Sequence, residues 1–255
     1  MPSRREQKEL RALRQRRSRE ETGLFLAEGV RAVEDLAASG LSIRMALFAS
    51  PLEDGERGRA LLQALASQKV AVHEVPDAEL RGYAATDTPQ GIVAMAEIPR
   101  RTLADLRPAA EPAAVVVLDA VQDPGNFGTL VRTAEALGAA GVVSLPGTVD
   151  AWNAKAVRSA MGSSFRLPLV DAEWDELEPW LRAEGFAILA AAAGGDPVSG
   201  GGRRRTALVL GNEGAGVSPG TLRRADGVAG IPLRGRAESL NVAAAGAILL
   251  YELLR

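Results

Sequence analysis

The run AVVVLDA at positions 114–120 constrains this chain more than any other stretch. Successive side chains of a strand point to opposite faces, so a strand with one wet face alternates apolar and polar residues. This run does not alternate, and it reads as a parallel strand covered on both faces. The residues after it supply the helices and neighbouring strands that such a cover needs. Residues 127–138 carry a helical apolar period, 141–145 read as a strand, 152–162 as a helix, 167–170 as a strand and 175–185 as a helix. Strands come next at 186–192 and 206–211, then a short helix at 218–225, a strand at 228–231 and a long final helix from about residue 241 to 254. Strands alternating with helices predict an α/β domain built on a parallel sheet.

The first hundred residues predict a second, smaller α/β unit. Residues 24–29 read as a strand running into a helix that Gly40 ends, 43–49 as a strand, 57–68 as a helix and 70–75 as a strand. A short helix capped by Asp77 and a strand at 91–98 complete it. The Pro-rich and charged stretch at 99–112 reads as a linker, which divides the chain into 1–98, 99–112 and 113–255. Residues 1–21 read as one basic helix with a formal net charge of +4. Such a helix is either a phosphate-contacting arm or a solvated face.

Composition removes several chemistries. The formal net charge is −2 over 255 residues, so any nucleic-acid contact has to come from local basic patches. There is no cysteine, which excludes disulfides, thiolate metal sites and a cysteine nucleophile. The single histidine, His73, lies in the strand-like VAVHEV and reads as structural, so zinc chemistry and histidine triads are not expected, and no metal is. The N-terminus lacks the apolar core of a signal peptide, and no apolar stretch approaches the ~20 residues of a membrane span. A soluble cytoplasmic protein is the expectation. Neither a GxGxxG fingerprint nor a GxxxxGK[ST] loop is present, which disfavours an ordinary dinucleotide fold and a P-loop NTPase.

Three segments at strand exits carry the remaining chemistry. The first, DPGNFGTLVRTAEALG at 123–138, comes directly after the buried strand. Asn126 is placed to cap the helix, Gly128 to admit a close backbone, and Arg132 about one and a half turns on; the two side chains converge if Asn126 sits in the turn. A bare capping asparagine and a surface arginine would look the same. The second, LVLGNEGAGVS at 208–218, is a strand ending in a Gly-rich loop with one carboxylate, Glu213. In open parallel sheets ligands bind at the carboxyl ends of strands, although Gly-rich loops are common. In the third, IPLRGRAESLNVAAAGAILLYE at 231–252, a strand gives way to a loop with Arg234 and Arg236, and then SLN opens a helix lined with Ala and Gly. Small residues there permit close packing, and a capped helix lying on the sheet is the plain alternative.

Together these segments resemble motifs one, two and three of the SpoU/TrmH methyltransferases of the SPOUT superfamily, in the same order. The pattern NxGxxxR is met by Asn126, Gly128 and Arg132, the GNEG loop by residues 211–214, and IP…SLNV by Ile231, Pro232 and residues 239–242. VAAAG after Asn241 departs from the family, which often has a Ser there. KAVRSAMGSSFRLPLV is similar to the family's central helix, so the resemblance spans 113–255. The segments FLAEGVRAVEDL and TPQGIVAMAEIP resemble the ribosomal-protein-like α/β substrate-binding domain that many members carry.

The resemblance implies a deep C-terminal trefoil knot holding S-adenosylmethionine in a bent pose. Positions that contact it in the family match Leu210, Gly211, Ile231, Leu233 and Leu240. It implies a metal-free in-line transfer of methyl to a ribose 2′-hydroxyl of RNA, with Arg132, Asn126, Glu213, Ser239 and Asn241 as the catalytic set. The family assigns activation of the hydroxyl to the arginine. A guanidinium keeps its proton far above neutrality, so Arg132 suits binding of the adjacent phosphate and stabilisation of alkoxide charge better than proton removal. The resemblance also implies a homodimer formed through the methyltransferase domain, with the final helix near the interface. RNA is expected because only RNA has the acceptor hydroxyl. Basic segments 1–21 and 203–205 and the pair Arg234 and Arg236 are candidate phosphate contacts or solvated loops. The separate N-terminal domain favours 23S ribosomal RNA by analogy. Transfer RNA, an antibiotic-resistance role on ribosomal RNA, and a non-catalytic RNA-binding protein of the same fold are the competing readings.

Overall fold

A computed structural model describes residues 1–84, 91–198 and 204–255. In chain order the elements are α1 Arg4–Ala12, α2 Arg16–Thr22, β1 Leu24–Glu28, α3 Val30–Ala38, β2 Ile43–Phe48, α4 Pro51–Asp54, α5 Glu56–Ser67, β3 Ala71–Glu74, α6 Asp77–Tyr83 and β4 Ile92–Glu97. The second half runs β5 Ala113–Asp119, α7 Pro124–Ala136, β6 Gly141–Ser144, α8 Ala154–Ala160, β7 Leu169–Asp171, α9 Trp174–Ala183, β8 Ala187–Pro197, β9 Arg205–Gly211, α10 Pro219–Arg224, β10 Gly227–Gly230 and α11 Val242–Leu254. The chain forms two compact units, Met1–Arg100 with Asp150–Phe165, and Arg101–Val149 with Arg166–Arg255.

The larger unit is the parallel sheet that the apolar run demands. Its order is β10-β8-β9-β5-β6-β7, and every pairing is parallel. All seven residues of β5 are buried. From β5 the chain builds outward through β6 and β7, then returns to β8, β9 and β10 on the other side. The order therefore reverses between β5 and β9, where an open α/β sheet has its ligand crevice. Asp119 and Gly211 pair at the carboxyl ends of these two strands. Leu103 and Leu106, from the stretch read as a linker, are buried in this unit's core beside Val115, Val143 and Ile188. The small residues of α11 allow it to lie tightly against α7 and the sheet: a Cβ at Gly246 would stand 2.5 Å from Leu130 Cδ2 and 2.8 Å from Leu210 Cδ1.

The smaller unit has a mixed sheet of order β1-β4-β2-β3. β4 is antiparallel to both β1 and β2, while β3 is parallel to β2. This unit departs from one expectation. Residues 1–21 form two helices rather than one, because the chain turns at Leu13 so that both Leu10 and Leu13 enter the core. On the exposed face of α2, Arg16 pairs with Glu20 at 2.6 Å and Arg17 with Glu21 at 2.7 Å. Arg19 is buried, its Nε donating to Asp150 Oδ2 at 2.7 Å and its Nη1 to the Leu13 carbonyl at 2.6 Å.

Asp150 belongs to the excursion Asp150–Phe165, which packs with this unit although its neighbours in sequence belong to the other. Trp152 and Phe165 lie 4.6 and 5.8 Å from the Phe25 ring, centroid to centroid. Tilted rings at such distances add to the area they bury.

Candidate functional site

The site forms where the exits of β5 and β9 meet the start of α11. Asp123, not Asn126, caps α7: its side chain accepts the Asn126 N–H at 2.8 Å, and Pro124 occupies the first helical position. An Asp-Pro pair is a favourable helix start, which corrects the expectation that Asn126 caps. Asn126 instead lies in the first turn of the helix, and its carboxamide is left for longer-range contacts.

Those contacts join the three motifs. Asn126 Nδ2 donates to Glu213 Oε1 at 3.1 Å, and Asn126 Oδ1 accepts from Asn241 Nδ2 at 2.9 Å. Asn241 is also the cap of α11, its Oδ1 accepting the N–H groups of Ala243 and Ala244 at 3.0 and 3.3 Å. A carboxamide can donate from its nitrogen and accept at its oxygen at the same time. Aspartate at 241 would still cap the helix but would have no donor for Asn126.

Glu213 further accepts the backbone N–H groups of Gln122 at 3.2 Å and Asp123 at 3.0 Å. Burial pushes its carboxyl up, but the bonds from Asn126, Asp123, its own backbone and Gln122 outweigh this and hold it below the usual glutamate value. A depressed value makes the carboxylate a stabilising element that is fully present above the ordinary glutamate range. Its contribution fades only as pH falls through the lower folded value.

Beside this relay lies a cavity of about 290 Å³. Leu210, Gly211, Ile231, Leu233 and Leu240 line it, with Ser239 and Glu213 at its polar side. Gly211 is required by close backbone approach: a Cβ there would fall 2.2 Å from both Gly216 C and Val217 N. Arg132 does not line the cavity. It is exposed on α7, six residues past Asn126 and so about 9 Å further along the helix axis. Arg234 and Arg236 are exposed in the loop before α11. Arg205 is an internal brace to Glu111 at 3.1 Å, Arg204 pairs with Glu111 at 3.4 Å, and Arg203 lies outside the described residues.

Some of the residues that shape the site escape sequence reasoning. Asp123 was legible in the Asp-Pro pair. Asn212 was not, because its partners are set by the meeting of two loops. Its Nδ2 donates to the Ala120 carbonyl at 2.9 Å, and its Oδ1 accepts the N–H groups of Gly214 and Ala215, both at 3.0 Å. Asp119 Oδ2 accepts the Ser218 N–H at 2.8 Å at the far end of the same loop. Ala120, between Asp119 and the amides that reach Glu213, has φ +60°, a left-handed conformation that costs a non-glycine residue about 1 kcal/mol. Among the described residues no cluster of His, Asp and Glu could hold a metal ion, and no helix is long and apolar enough to cross a membrane.

Comparison with known proteins gives the same part of the chain a family context. Residues 113–251 match the model of the SpoU rRNA Methylase family, and residues 5–94 match that of the MRM3-like substrate binding domain. The chain is 37% identical over 254 residues to the 23S rRNA (guanosine(2553)-2'-O)-methyltransferase RlmP of Bacillus subtilis (strain 168), covering 96% of this chain and 94% of that one. Two solved structures with AdoMet are similar to it. The SpoU methyltransferase AviRb from Streptomyces viridochromogenes is 30% identical, with a TM-score of 0.86 over 99% of this chain and 97% of that one. An rRNA methyltransferase from Sinorhizobium meliloti is 32% identical, with a TM-score of 0.83 over 99% and 96%.

Proposed function

The chain belongs to the SpoU rRNA methylase family, and from that premise we propose that it transfers a methyl group from S-adenosylmethionine to a ribose 2′-hydroxyl of RNA, with 23S ribosomal RNA as the substrate class. The observation that carries this reading is the relay Asn241–Asn126–Glu213, which ties three distant motifs together beside a backbone-rich cavity. The ribosomal substrate is supported by what the relatives are named for, and by the match of residues 5–94 to a substrate-binding domain. In this reading residues 1–98 hold RNA, 99–112 join the two parts and 113–255 carry the reaction, within the knotted arrangement of the family and in the cytoplasm.

The cavity suits the cofactor. Its leucines and Ile231 offer an apolar wall for a flat base, and Gly211, Gly214 and Gly216 add no side chain that would keep a ligand from the loop backbone. Glu213, the one carboxylate among the lining residues, sets a negative charge near a cationic ligand. When bound, S-adenosylmethionine supplies the methyl group on its sulfonium centre. The protein's part is alignment and charge. Asn126, Glu213, Ser239 and Asn241 fix the geometry that an in-line transfer requires. Arg132 holds the phosphate next to the target ribose and offsets negative charge on the 2′-oxygen, and that phosphate or a water takes the proton. Arg4, Arg5, Lys8, Arg234 and Arg236, all exposed, are further cations for the RNA backbone.

The direct test is transfer of labelled methyl to ribosomal RNA and to a DNA of the same sequence. Transfer to RNA alone is expected; equal transfer to both would put the methyl group on a base and end the reading. A backbone clash makes a second expectation. Gly211→Ala forces apart the loop that closes the cavity, so cofactor affinity measured by calorimetric titration should fall at least tenfold; unchanged affinity would remove Gly211 from the cavity wall.

The homodimer is part of the proposal too. Ile248 and Tyr251 of α11 are 43% and 54% exposed, large apolar surface on a helix that otherwise faces the core. With Ala244 they form a stripe at i, i+4 and i+7. Sedimentation at micromolar concentration should give a dimer, and a monomer would contradict it.

A further inference from the structure

The loop exits that form the site are fastened to each other residue by residue, and Asn212 is at the centre of the fastening. The β5 exit offers the Asp119 carboxylate, the Ala120 carbonyl and the amides of Gln122 and Asp123. The β9 exit answers with Ser218 N–H, Asn212 Nδ2 and the Glu213 carboxylate. Within its own loop Asn212 accepts two amides and pairs with Gly216 backbone to backbone in both directions, at 3.0 and 2.9 Å. The left-handed φ of Ala120 accompanies a carbonyl turned to Asn212 and subsequent amides turned to Glu213.

The geometry points to Asn212 as a positioning residue that serves both halves of the reaction. Its two acceptor bonds hold the loop of Gly214 and Gly216 in the shape that walls the cofactor cavity. Its donor bond holds Ala120, and so keeps the Gln122 and Asp123 amides on Glu213, which in turn holds Asn126. Asn212 also lines the cavity, but its side-chain nitrogen and oxygen are taken up by the two loops, and it acts through them. The inference rests on the cofactor reading given above.

Two variants test it, Asn212→Ala and Asn212→Asp, each titrated calorimetrically with S-adenosylmethionine and assayed for kcat at saturating cofactor and RNA. Asn212→Ala should weaken cofactor binding at least tenfold and lower kcat at least tenfold, with the circular dichroism of the folded protein retained. Asn212→Asp is isosteric and keeps both acceptors, but it has no donor for Ala120. It should bind the cofactor more tightly than the alanine variant and still show the same fall in kcat. Wild-type kcat in the folded Asn212→Asp variant would overturn the role, as would alanine-variant constants within twofold of wild type. If the wild-type protein itself binds no S-adenosylmethionine, the cofactor reading fails instead. If the wild type binds and the variants match it, only the role of Asn212 fails.

Discussion

Arg132→Ala should slow methylation by about a hundredfold to a thousandfold, the usual effect of removing one group that stabilises transition-state charge. The affinity for S-adenosylmethionine should stay within a few-fold. The separation comes from position. Arg132 is exposed on α7 about 9 Å beyond Asn126 and takes no part in lining the cavity. Its loss therefore leaves the walls at Leu210, Gly211 and Ile231 intact. Arg132→Lys should recover little, because an ammonium cannot reproduce the planar fork with which a guanidinium grips a phosphate. Single-turnover rates together with calorimetry read the two quantities independently. A variant that loses cofactor affinity and keeps its rate at saturation would reverse the assignment.

The second large effect is on stability. The Arg19 and Asp150 side chains are 6% and 16% exposed, and the ion pair joins residues 131 apart in sequence. Arg19→Met leaves a buried carboxylate without its partner, a change that costs about 3–5 kcal/mol. It should lower the unfolding midpoint of that unit by about 12–20 °C. The double variant Arg19→Met/Asp150→Asn removes the stranded charge and keeps an acceptor for the Trp152 N–H, which Asp150 Oδ1 now holds at 2.9 Å. It should regain a good part of the loss. A single variant as stable as wild type would mean that the pair is hydrated and contributes as little as a surface one.

The parallel sheet was legible because periodicity reports on each strand's own surroundings. The unbroken apolar run of β5 states that both of its faces are covered, and all seven of its residues are buried. Strand order is a different matter. Nothing in the run says that β9 rather than β8 lies beside it, since pairing depends on where the chain returns. The excursion 150–165 was hidden for a similar reason. Residues 152–162 read as a local helix, and no period tells which core such a helix joins; Trp152 and Phe165, at and beyond its two ends, enter the one that contains Phe25.

The site divides in the same way. Each of its pieces was visible as a strand exit with turn formers and one notable side chain. The relay was not, because Asn126 finds its partners 87 and 115 residues away. The resemblance to known methyltransferases supplied that convergence as an expectation, where spacing alone could not. The cap of α7 turns on one local rule. Asp123 before Pro124 is a stronger start than Asn126, and taking the cap away from Asn126 is what frees its carboxamide to bridge Asn241 and Glu213. Of the eight basic residues in the N-terminal stretch one, Arg19, is buried; Arg16 and Arg17 pair along the helix yet still face solvent, as do the cations of α1.

If the relay and the cavity together methylate a ribose oxygen, the most direct test is to locate the methyl group. The protein is incubated with S-adenosylmethionine labelled in the methyl group and with ribosomal RNA from cells that lack the protein, and the RNA is hydrolysed with alkali. A 2′-O-methyl group blocks cleavage at its own linkage, so the label should emerge in an alkali-resistant dinucleotide at one site of the large-subunit RNA. Label in ordinary mononucleotides would place the methyl group on a base and contradict this chemistry.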